Sequence, residues 1–102
     1  MSIENFIPID QLCTHYKVEM SFFSHLNELG LISIKTVEKS FCVHQDQIND
    51  IEKMIRMHQE LDINVEGIDT IFNLLEKINK LQLELTDIKN RLRLYENLND
   101  FY

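Results

Sequence analysis

Residues 22–32 read Phe-Phe-Ser-His-Leu-Asn-Glu-Leu-Gly-Leu-Ile. Phe22, Phe23, Leu26 and Leu29 recur at the spacing of a buried helical stripe, so the segment 19–29 is expected to be a helix. Gly30 follows the last periodic residue, where a left-handed backbone costs glycine little. Adjacent helical residues lie about 100° apart, so Phe22 and Phe23 are not expected to share one direction. Either both lie in the core of a small head, or one does and the other is a contact anchor for a partner, the role given to Phe23.

Outward from this stretch the chain keeps alternating helix and strand signals. Residues 9–16 form a short helix that Asp10 can cap, with Leu12, Cys13 and Tyr16 on one face. After Gly30, the segments 31–37 and 39–44 are rich in β-branched and aromatic residues and predict a two-stranded wing. Its turn is expected over Thr36–Ser40, which lacks an Asn-Gly signature. Residues 45–61 predict a third helix, broken at Asp62–Asn64, with Asn64 placed to cap the last helix.

The segment 65–99 carries the most sustained periodicity. Ile71, Ile78, Leu85 and Leu92 occupy one heptad core position and Leu74, Leu81, Ile88 and Tyr95 the other. Lys77, Glu84 and Arg91 flank one side of that seam; Gln82, Lys89 and Glu96 flank the other. At 1.5 Å per residue the helix runs about 50 Å, more than a small head can cover. A second copy is the expected cover, giving a homodimer whose helices could run parallel or antiparallel. The organisation is a head over residues 1–63 and a dimerisation helix over 64–102.

Composition narrows the function. The chain has 102 residues, 44% hydrophobic, with two glycines and one proline, which fits a mainly α fold. No apolar run reaches the length of a membrane span and no leader is recognised, so the expected location is cytoplasmic, with Cys13 and Cys42 as reduced thiols. Net charge is −7. The head holds Lys17, Lys35, Lys39, Lys53 and Arg56 against Glu4, Asp10, Glu19, Glu28, Glu38, Asp46, Asp50, Glu52, Glu60 and Asp62. A basic partner suits such a surface better than a phosphate backbone. The candidate partner-binding residues are Glu19, Glu28, Asp46, Asp50, Glu60 and Asp62, with Phe23. Cys13, Cys42, His15, His25, His44 and His58 fall in no tight ligand pair, so neither a metal nor a cofactor is expected. No phosphate loop or nucleophile motif points to an enzyme.

The segments Ile9–Cys13, Val18, Gly30–Ile32 and Leu61–Ile68 resemble the MerR-type winged-helix domain. Members of that family typically carry arginine on the second helix and at the end of the wing. Ser24 and Cys42 stand there in this chain, and neither supplies a guanidinium fork for phosphate. The acidic, arginine-poor head and the segment His58–Gln82 further resemble the CbpM family of chaperone modulators, although Val65-Glu66 replaces that family's frequent Trp-Pro. This resemblance implies a protein that binds the J-domain of a DnaJ-like co-chaperone, CbpA, and blocks its action on Hsp70. The alternative is a MerR-like DNA-binding transcriptional regulator; a bare dimerisation adaptor is a third possibility.

Overall fold

The computed structural model describes residues 5–99; Glu4 of the acidic set and the outer ends of both expected segments lie outside them. The chain runs β1 (Phe6–Pro8), α1 (Ile9–Tyr16), α2 (Met20–Glu28), β2 (Lys35–Val37), β3 (Ser40–His44), α3 (Ile48–Glu60) and α4 (Val65–Asn99). It divides into two compact units, Met1–Asp69 and Thr70–Tyr102.

The first unit is a winged helix. Its sheet has three antiparallel strands in the order β1-β3-β2, rather than the two expected. The added strand pairs Phe6 with His44, Ile7 with Val43 and Pro8 with Cys42. Only three residues long and ending in proline, it offers no alternation from which a strand is recognised. Pro8 also takes the N-cap position of α1 without a side-chain bond. Asp10 therefore lies inside the first turn and is not the cap; its carbonyl accepts the Thr14 hydroxyl at 3.0 Å.

α2 ends as expected. Gly30 has φ of 78°, its N–H donates to the Asn27 carbonyl at 3.1 Å, and the Leu31 N–H donates to the Leu26 carbonyl at 3.0 Å. These paired bonds satisfy carbonyls that a helix end otherwise leaves open. The wing turn is shorter than expected. Val37 pairs with Ser40, leaving Glu38 and Lys39 as a two-residue tip with φ of 49° and 67°.

The core of this unit joins Ile9, Phe23, Leu26, Val43, Ile51, Met54, Ile55 and Ile68, all essentially inaccessible to water. Among the described residues no polar or charged side chain is buried, so the head is held by apolar burial rather than by internal ion pairs. At its periphery the Tyr16 hydroxyl donates to Glu52 at 2.7 Å and the Gln59 amide donates to the Tyr16 carbonyl at 2.8 Å, tying α1 to α3. Leu29 is 38% exposed and stands outside the stripe assigned to it.

α4 starts where the cap signal places it. The Asn64 side-chain oxygen accepts the Gly67 N–H at 2.8 Å, and Val65 and Ile68 of the first turn are buried in the head. From Thr70 onward the helix belongs to the second unit. No helix among the described residues is long and apolar enough to cross a membrane.

Candidate functional site

In a winged helix the outer face of the second helix and the adjoining wing form the natural reading surface. α2 is set in place by a tight turn: Lys17 is left-handed and the Val18 N–H donates to the Cys13 carbonyl at 3.1 Å. Phe22, Phe23 and Leu26 face inward. Met20, Ser24, Asn27 and Glu28 face outward and, with Ile34 and Phe41, line a groove between α2 and the wing. None of these groove residues, and no residue of α2, is lysine or arginine.

Side-chain hydrogen bonds hold the segment that borders the groove. The Asn27 side-chain oxygen accepts the Ile34 N–H at 3.0 Å. Gln47 clamps Ser33 from both sides, accepting its N–H at 2.8 Å and donating to its carbonyl at 3.1 Å. The segment joining α2 to the wing is thereby held in a defined path.

Phe23 does not serve as a contact anchor. It is fully buried, and Phe22 is nearly so, with its ring stacked on His58 at a 4.6 Å centroid distance. The two phenylalanines meet edge to face at 5.6 Å. Both are covered because α2 packs over more than one neighbour, so an arc wider than a single stripe is shielded. The exposed aromatic of the head is instead Phe41, 59% accessible on β3. A sequence signal for it existed. Phe41 sits next to the wing turn, opposite Thr36, where a strand outruns its own core.

The six candidate carboxylates are dispersed. Glu19 and Asp62 line one hollow of about 560 Å³ between the α1–α2 turn and the α3–α4 junction, together with His25 and His58. Beside it, His25 approaches Glu66 at 3.1 Å. Glu28 belongs to the α2–wing groove. Glu60 lies in a shallow depression with Lys53, Arg56, Met57 and Leu61. Asp46 lies 3.3 Å from the His44 ring, whose Nδ1 also accepts the Asp46 N–H at 3.1 Å. Asp50 is exposed on the first turn of α3.

Two titratable groups depart from ordinary behaviour. Burial, reinforced by Asp10, pushes the Cys13 thiol up. The hydrogen bond to Glu52, with burial, raises the Tyr16 phenol. Both shifts favour the protonated, neutral forms. Among the described residues no three of histidine, cysteine, aspartate or glutamate gather to hold a metal ion.

The second unit presents the heptad seam. Leu74, Ile78, Leu81, Leu85, Ile88, Leu92 and Tyr95 are 47–64% exposed, and Ile71 is half-buried. Leu83 and Leu94 are also exposed, but off the seam. An ion pair within the helix joins Arg91 to Asp87 at 3.1 Å.

A family model described as "MerR HTH family regulatory protein" matches residues 7–90. No curated protein and no solved structure matches the chain.

Proposed function

The chain belongs to the MerR HTH regulatory protein family, and on that premise we propose that it regulates by binding protein: it engages the J-domain of a DnaJ- or CbpA-like co-chaperone and blocks that co-chaperone's action on Hsp70. One observation carries this reading. The outward face of α2, where a DNA reader needs cations, holds Met20, Ser24, Asn27 and Glu28. Phosphate grip depends on charge-assisted bonds from lysine and arginine, and without them neither orientation nor affinity on a duplex is secured. A J-domain presents a basic helix, so charge complementarity favours it; its apolar contacts would give the complex lifetime.

The exposed heptad seam on α4 supports a second element of the proposal, a homodimer. Half-exposed leucine and isoleucine at core spacing over four heptads gain most from a matching helix. A second functional reading, a DNA-binding transcriptional regulator, draws support from Lys35 and Lys39, both exposed on the wing.

Titration of a purified J-domain into the full-length chain by calorimetry tests the proposal, together with a J-domain-stimulated Hsp70 ATPase assay. Saturable binding and loss of stimulation are expected, with affinity falling steeply as salt is added. Retardation of duplex DNA at physiological salt, with no heat from the J-domain, would transfer the function to the second reading.

A further inference from the structure

Resting on the J-domain reading, we propose that the groove between α2 and the wing receives the partner's basic helix, with Phe41 as the apolar anchor and Glu28 as the charge contact. Three features of the groove lead to that occupant.

The first is the position of Phe41. Along β3, Phe41 and Val43 share a face, because side chains alternate from one residue to the next. Val43 is fully buried, whereas Phe41 is 59% exposed. The apolar face of the sheet thus extends past the core it serves, and its last ring borders the groove. Aromatic side chains, phenylalanine among them, are enriched at protein interfaces over the rest of the surface.

The second is the chemistry of the walls. Met20 and Ile34 continue the apolar surface beside Phe41, while Ser24 and Asn27 supply uncharged polar atoms. An amphipathic helix can lay its apolar stripe against Met20, Ile34 and Phe41 and its polar flank against Ser24 and Asn27.

The third is charge. Glu28 lies in the groove, and no lysine or arginine lines it. Lys35 pairs with Cys42 and therefore belongs to the other face of the sheet from Thr36 and Phe41. Lys39 and Glu38 offset each other at the wing tip. Within the groove, a lysine or arginine of an incoming helix meets a carboxylate, whereas a phosphate meets no cation.

The bracing by Asn27 and Gln47 adds that the groove exists before the partner arrives, which limits the ordering cost of binding.

The test uses the full-length chain and a purified J-domain in calorimetric titrations. Phe41→Ser and Glu28→Lys are each expected to weaken binding about tenfold or more. Phe41→Leu should hold affinity within a few-fold by keeping apolar bulk, and Leu61→Ser, which changes a leucine 66% exposed outside the groove, should leave it unchanged. Thermal melts of each variant, matched to wild type, separate lost contact from lost fold. If wild type binds and neither Phe41→Ser nor Glu28→Lys weakens it, the groove is not the docking surface, although the J-domain reading survives. If wild type gives no heat, the J-domain reading and the groove's occupant fall together. Duplex DNA retained by wild type and released by Phe41→Ser would assign the groove to nucleic acid and overturn the proposal.

Discussion

Replacing Leu81 with alanine isolates one layer of the heptad seam. Leu81 is 63% exposed in the single chain. Fully burying a leucine side chain contributes about 2 kcal/mol, so covering the exposed part contributes about 1.3 kcal/mol. In a two-fold dimer each substitution acts twice, which brings the loss to about 2.5 kcal/mol of association energy. At 1.4 kcal/mol per tenfold, the dimer Kd should rise roughly sixtyfold. Sedimentation equilibrium across a wide concentration range reads that change directly. Leu83→Ala is the control: Leu83 is even more exposed, at 72%, but it lies off the seam and should leave Kd unaltered. A wild-type chain that stays monomeric at the highest concentration refutes self-association through this helix. Equal effects from the two substitutions would point to unspecific stickiness rather than heptad packing.

Other expected outcomes concern the head. Phe23→Ala should cost about 3–5 kcal/mol by denaturant unfolding, because the ring is wholly enclosed, while Phe41→Ala should stay within about 0.5 kcal/mol of wild type. Gly67→Ala should destabilise the protein by about 0.5–1 kcal/mol, against the usual helical preference for alanine. The new Cβ would lie 2.8 Å from Ile63 Cγ2 and 3.0 Å from the Asn64 oxygen that caps α4, and losing that cap alone costs about 1 kcal/mol; a variant more stable than wild type would contradict this. Stability should hold up to about pH 9 and then decline. The folded chain keeps the Cys13 and Tyr16 protons beyond the ordinary values of 9.0 and 10.0 at which an unfolded chain releases them. Tyr16→Phe should remove the upper part of that decline in denaturation curves recorded at successive pH values.

The most legible parts of the sequence were those governed by local chemistry. The helix over 65–99, its Asn64 cap and the left-handed Gly30 all occur where periodicity and capping rules place them. α1 and α2 also lie where their apolar spacing puts them. What sequence reasoning missed depends on tertiary context. β1 exists because β3 offers it an edge, and its own three residues carry no strand pattern. The sequence left open whether one or both of the neighbouring phenylalanines are enclosed, and cover of α2 on more than one side decides for both. Charges were counted correctly, yet their distribution into separate hollows arises from how α2 and α3 are turned.

The wing tip has a further consequence. Glu38 and Lys39 both adopt left-handed backbones, a conformation that glycine and asparagine accept far more readily, at about 1 kcal/mol less per residue. Strand pairing holds a bend that these two residues do not favour by themselves. An Asn-Gly tip would adopt the same bend at lower cost and fasten the hairpin more firmly.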